Sequence, residues 1–139
     1  ILYQDKQCKI TIPKDVFDEY KNWIRLIYKE CKKNFTCIIL NQPNAYDFNA
    51  DESLKKRFWM TPPYEDYTIS FNDLVHIANL YNNWILEEAR KEKIFACDLA
   101  SDFKPTMEYF IDECHFSENG SKFASIHITN CIKKFDIIN

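Results

Sequence analysis

Apolar residues at Val16, Tyr20, Trp23, Ile24, Ile27 and Cys31 recur at three- and four-residue steps, the spacing of one helix face. Pro13 suits the first turn, where its missing N–H removes only a donor with no intrahelical partner. Asp15, Asp18 and Glu19 near the start, and Lys29, Lys32 and Lys33 near the end, complement the helix dipole; Asn34 suits the stop. Residues 35–40 follow as an unbroken apolar run rich in strand formers. Such a run predicts a strand buried on both faces, as in a parallel sheet. The polar turn Asn41-Gln42-Pro43-Asn44 ends it.

A second helix is predicted from Ser70, where Asp73 three residues on approximates a capping box. Leu74, Ile77, Ala78, Tyr81, Trp84, Ile85 and Glu88 form one face of it, apolar until the last turn. Residues 94–99 predict a second short buried strand. Ala124, Ile128, Cys131 and Phe135 mark the inner face of a closing helix from about Ser117. Residues 1–12 read as a connecting loop. This order of elements implies βαβ geometry and a parallel sheet. Two strands are too few for a stable doubly wound sheet, so further strands are expected from additional chain or from a partner.

The 139 residues fit one domain, and 46% hydrophobic with 16% aromatic content is ample for a packed core. A net charge of −3 without a long basic run argues against nucleic acid as the main partner. No apolar run reaches the ~18 residues of a membrane span. The six cysteines include no Cys-x-x-Cys pair. Cys37 and Cys97 fall in apolar strand-like runs, where free buried thiols are expected. Localisation and oligomeric state are not legible.

One segment carries chemistry. In Asp112-Glu113-Cys114-His115-Phe116-Ser117-Glu118-Asn119-Gly120, a carboxylate stands three residues before an imidazole, ahead of the only glycine in the chain. An Asp beside a His fixes the ring tautomer and supports the imidazolium that forms when the ring takes a proton. The strands predicted at 35–40 and 94–99 place this segment and Asn41–Asp47 at one carboxyl edge, where ligands gather in parallel sheets. The bland alternatives are a turn-capping Asp112 and a surface His115. Two ligands without a third give no metal site. Cys114 reads as a bystander, and His76 and His127 as structural or exposed residues.

Between Tyr46 and Tyr67 the chain carries Tyr46, Phe48, Phe58, Trp59, Met60, Tyr64 and Tyr67, with Pro62-Pro63 stiffening it. A loop of this length is a lid, a pocket wall or an insertion packing its aromatics on the domain.

From about Pro13 to Phe135 the pattern resembles the SGNH (GDSL-type) serine hydrolases. The resemblance rests on the helix, the strand ending in Asn41-Gln42-Pro43, the long helix, the strand ending in Asp98-Leu99, and Asp-x-x-His with a downstream glycine. It implies a three-layer α/β/α fold with a parallel, flavodoxin-like sheet, of which this chain is the C-terminal portion. It also implies ester hydrolysis with His115 as general base and Asp112 as its orienting acid. Gln42, Asn44, Tyr46 and Trp59 are the candidate substrate-binding residues. No cofactor and no metal are expected, and the substrate is a small-molecule, carbohydrate or lipid ester. The family's Gly-Asp-Ser block has no counterpart here. Ser53, Ser70, Ser101, Ser117, Ser121 and Ser125 lie in loops or helix starts, so the nucleophile is expected upstream, in an N-terminal segment of the same protein. The competing expectation is a non-catalytic α/β module that binds a partner through the aromatic loop 46–67.

Overall fold

The computed structural model describes residues 7–8, 15–59 and 66–135. Pro13, Met60, Pro62, Pro63 and Tyr64 lie outside them. A short strand β1 (Gln7–Cys8) stands where a connecting loop is expected, and helix α1 covers Val16–Asn34. Strand β2 (Ile38–Leu40) and the single-turn helix α2 (Glu52–Lys55) follow. Next come β3 (Tyr67–Thr68), the long helix α3 (Phe71–Lys91) and β4 (Phe95–Cys97). A 3₁₀ turn at Ala100–Asp102 leads through irregular chain to α4 (Glu118–Lys134).

β2 and β4 pair in parallel, with Ile38 opposite Phe95 and Leu40 opposite Cys97. β1 pairs in parallel with β3, but in a different sheet. Among the described residues there are thus two two-stranded sheets, which overturns the expected three-layer, flavodoxin-like parallel sheet. The reason lies in how little of each apolar run stays extended. A disulfide between Cys31 and Cys37 takes up the start of the first run, directly after α1. The second run turns beyond Cys97, where the Leu99 N–H donates to the Cys97 carbonyl at 3.1 Å. Leu40 and Phe95 remain 38% and 40% exposed, so neither strand is buried on both faces.

Only half of the apolar stripe of α1 finds a partner. Phe17 and Tyr20 pack on Tyr81 of α3, with ring centroids 4.8 and 4.4 Å apart. The buried Tyr28 donates its hydroxyl to the Ile85 carbonyl at 3.0 Å, and Arg25 pairs with the buried Glu88 at 2.6 Å. Val16, Trp23 and Ile27 stay in solvent, Trp23 at 61% exposure. The periodicity located the helix but overstated the face it buries.

Caps fix both later helices. The Ser70 hydroxyl accepts the Asp73 N–H at 3.1 Å and donates to the Asp73 carboxylate at 2.6 Å. Ser117 accepts the Gly120 N–H at 3.0 Å. Gly120 itself lies inside α4, and a Cβ there would stand 2.0 Å from the Tyr109 carbonyl oxygen. That oxygen is held in place by the Ser117 N–H at 2.9 Å. Close packing, not a special backbone angle, dictates the glycine. Gly120→Ala is therefore expected to lower stability by about 2–3 kcal/mol despite the better helix propensity of Ala. An unchanged urea midpoint would contradict this.

The core gathers Ala45, Leu54, Phe58, Leu99, Phe103, Phe110 and Ala124. Phe58 meets Tyr46 edge-on at 5.6 Å. The described part of the aromatic loop is therefore partly core. Cysteine usage also differs from expectation: Cys97 of β4 bonds Cys131 of α4, so with Cys31–Cys37 two disulfides replace the expected free thiols. Packing of α4 on β4 brings the Cys97 and Cys131 Cα atoms to 6.0 Å, within disulfide reach. Cys114 takes part in neither bond.

Candidate active site

Two polar residues tie the carboxyl ends of β2 and β4 together. The buried Asn41 carboxamide donates to Asp98 at 2.8 Å and accepts the N–H groups of Leu99 and Ala100 at 2.7 and 2.9 Å. Asn41 is more than a turn former. An Asn directly after one predicted strand and an Asp in the run of the other were the available signal. Asn41→Ala strands two backbone donors and one carboxylate, and is expected to cost about 2–4 kcal/mol in chemical unfolding. A loss below ~0.5 kcal/mol would show that water replaces the carboxamide without penalty.

The Asp112/His115 turn is closed by an antiparallel bridge between Phe110 and Phe116, with the Ile111 N–H donating to the His115 carbonyl at 2.8 Å. Phe110 is fully buried and anchors the turn in the core. Within it, one Asp112 oxygen accepts the N–H groups of Cys114 and His115 at 3.0 and 2.9 Å, an Asx-type turn. The other oxygen accepts the indole N–H of Trp59 at 3.1 Å. The imidazole Nδ1 of His115 lies 2.8 Å from this oxygen and 3.0 Å from the first.

Burial pushes the Asp112 carboxyl upward, but the backbone donors of Cys114 and His115, the Trp59 indole and the imidazole outweigh it. The result is a pKa lowered to about 2. An ionised carboxylate only accepts hydrogen bonds, so Nδ1 must carry a proton when it bonds Asp112. In the neutral ring the free lone pair then sits on Nε2, on the opposite side of a side chain that is 60% exposed. Such an imidazole is oriented to take a proton from an approaching hydroxyl.

Trp59 belongs to this unit. Its ring lies parallel to that of His115, centroids 6.3 Å apart, and its backbone N–H is held by both oxygens of the fully buried Glu113 at 3.2 Å. Fifty-three positions separate Trp59 from Asp112, so no local pattern could reveal the contact.

Of the candidate substrate-binding residues, Gln42, Asn44 and Tyr46 line one hollow of about 200 Å³ that also reaches Cys114; Trp59 is not on its wall. Asn44 shapes the loop, its side-chain oxygen accepting the Tyr46 N–H at 3.1 Å. The Gln42 backbone is gripped from α3 by the Asn82 carboxamide, at 2.9 Å from its N–H and 2.8 Å from its carbonyl.

Cys114 Sγ approaches His115 Nδ1 to 3.5 Å. Burial first, then the charges of Asp112 and Glu113, push the thiol up to about 12, so it stays protonated and weakly nucleophilic. Ligand atoms of Asp112, Cys114 and His115 nevertheless lie within 4.8 Å of one another, a third candidate ligand that the sequence did not disclose. A metal ion there would have to displace the bond between Nδ1 and Asp112.

A second carboxylate–imidazole pair joins His127 to Asp102 at 2.8 Å, beside a hollow of about 790 Å³. Among the described residues the Asp102 carboxylate has no donor besides this ring, and it is 48% exposed. Asp112 is held by three N–H donors in addition to its imidazole. That difference in fixation singles out His115.

No family model, no curated protein and no solved structure matches the chain. Among the described residues no helix is long and apolar enough to cross a membrane.

Proposed function

We propose that Asp112 and His115 are the acid–base pair of an ester hydrolase, with His115 the general base and Asp112 its orienting carboxylate. One observation carries this reading: the imidazole Nδ1 rests on both oxygens of a carboxylate that three N–H donors already fix. That arrangement sets tautomer and orientation together, which is what a base acting on a hydroxyl nucleophile requires.

In this proposal a serine hydroxyl attacks the ester carbonyl while Nε2 takes its proton. The imidazolium is stabilised by Asp112 and later returns the proton to the leaving alcohol. Among the described residues no hydroxyl hydrogen-bonds the ring, so the serine comes from elsewhere in the intact protein. The resemblance to SGNH hydrolases, which place that serine upstream, supports the same division of labour. The competing binding-module reading finds less support, because Phe58 packs in the core and Trp59 reaches the dyad.

A fluorophosphonate probe tests the proposal, since it labels only activated serines. The intact protein is expected to take up one label per chain, mapped by mass spectrometry to a serine, and folded His115→Ala to take up essentially none. Absence of labelling, or unchanged labelling of His115→Ala, contradicts it.

A further inference from the structure

Two hollows of opposite character share a wall beside the dyad. The first, of about 200 Å³, has an apolar side made by Ile77, Ala78 and Tyr81 of α3, and reaches Cys114. The Cys114 thiol is 3.5 Å from the His115 ring, so this hollow opens next to the proposed base. The second, of about 220 Å³, is polar and includes Asn79, Asn83, Asp98 and Ser101. Asn44, Tyr46 and Asn82 line both.

From this juxtaposition we infer that the chain binds an amphiphilic guest, an acylated sugar or similar polyol. Its acyl chain lies in the first hollow and its hydroxyl-bearing part in the second. The inference rests on the ester-hydrolase reading only for which bond would be cut.

Sizes and chemistry agree with this guest. A cavity of about 150 Å³ holds benzene, so the first hollow takes an apolar group of roughly four to six carbons. In the second, Asn79 and Asn83 stand one helical turn apart on the same face of α3. Neither carboxamide hydrogen-bonds a described residue, whereas those of Asn41 and Asn82 are engaged. Each free carboxamide offers two donors and an acceptor, a match for neighbouring hydroxyl groups. Asp98 uses one oxygen for Asn41 and the Ser101 N–H, which leaves the other as an acceptor. A wholly apolar ligand would strip water from these groups without replacing their hydrogen bonds.

The test is titration of the ¹⁵N-labelled full chain with butyl β-glucoside, methyl β-glucoside and butanol, followed by NMR. Butyl glucoside is expected to bind about tenfold more tightly than methyl glucoside, because two or more further methylenes are buried. It should shift signals of Ile77 and Tyr81 together with those of Asn79 and Asn83. Asn83→Leu should weaken both glucosides, while Ala78→Phe should remove only the advantage of the butyl chain. Ile77→Asn, which removes apolar wall without adding bulk, repeats that arm if Ala78→Phe does not fold. Equal affinities, shifts confined to one hollow, or insensitivity to these substitutions overturn the inference. Binding needs no nucleophile, so the two readings fail separately. Amphiphile binding by an intact protein that never labels leaves the cleft standing and removes the hydrolase; labelling without binding does the reverse.

Discussion

His115→Ala is expected to lower ester turnover of the intact protein by about 10³-fold or more, as removal of an oriented general base does. The melting temperature should stay within a few degrees of the parent, because this side chain is 60% exposed and fills no core space. Turnover of a chromogenic short-chain ester, with circular dichroism as the folding control, reads both. Full activity in a folded variant would remove His115 from the chemistry.

Asp112→Asn differs in kind. It removes the charge that supports the imidazolium, a change that costs ~10⁴ in rate in a well-studied serine-protease triad. It also disturbs a buried carboxylate with several donors, so here stability falls as well. The folded-state pKa of Asp112 is depressed from 3.8 to about 2, and each unit corresponds to ~1.4 kcal/mol. The ionised carboxylate thus contributes about 2 kcal/mol at neutral pH. For a depressed carboxyl this stability is fully present above the unfolded-state pKa and is lost as pH falls from ~4 towards ~2. The parent should show that acid-side loss in urea titrations and Asp112→Asn should lack it; parallel pH curves would count against this role for Asp112.

Loss of the Cys97–Cys131 bond is the largest stability effect expected. It closes a loop with a sequence separation of 34 that contains the whole Asp112/His115 turn. Chain-entropy arguments put its contribution at about 4 kcal/mol, against about 2 kcal/mol for the short Cys31–Cys37 loop. A Cys97→Ser/Cys131→Ser protein should melt about 10–20 °C lower. Reduction of the parent breaks Cys31–Cys37 as well and should give a larger drop, since such bonds persist only in oxidising surroundings. A shift under ~2 °C, with loss of the bond verified by mass spectrometry, would show that packing of α4 on β4 suffices alone.

What the sequence revealed follows from range. Helix positions, the Ser70 cap and the Asp112/His115 spacing are local, and periodicity or a three-residue step encodes them. The parallel pairing of β2 and β4, though not its register, was also legible, because two apolar runs flanking a long helix leave few other topologies. The extent of the sheet was not. Residues 35–37 read as strand, yet Cys37 is pulled to Cys31 in a bond that only three-dimensional proximity reveals. Trp23 shares the predicted stripe with Tyr20, but only the positions facing α3 gain a partner, among them Tyr28, which lies outside that stripe. The site divides the same way. The Asp112/His115 pair was visible as a motif, while Trp59 and Glu113, which hold its turn, and Asn41, which ties the ends of β2 and β4, act across 53 to 59 positions. Gly120 was legible only as a glycine downstream of the motif; its reason is a carbonyl eleven residues earlier.

In the proposed acid–base pair, Asp112 holds the His115 ring with Nδ1 protonated and Nε2 open. Long-range ¹H–¹⁵N correlation spectra of the histidine-labelled chain, recorded where the ring is neutral, read this directly. The proton of His115 is expected on Nδ1, with that signal moved in Asp112→Asn while those of His76 and His127 stay in place. A His115 ring protonated on Nε2, or one indifferent to Asp112→Asn, would contradict it.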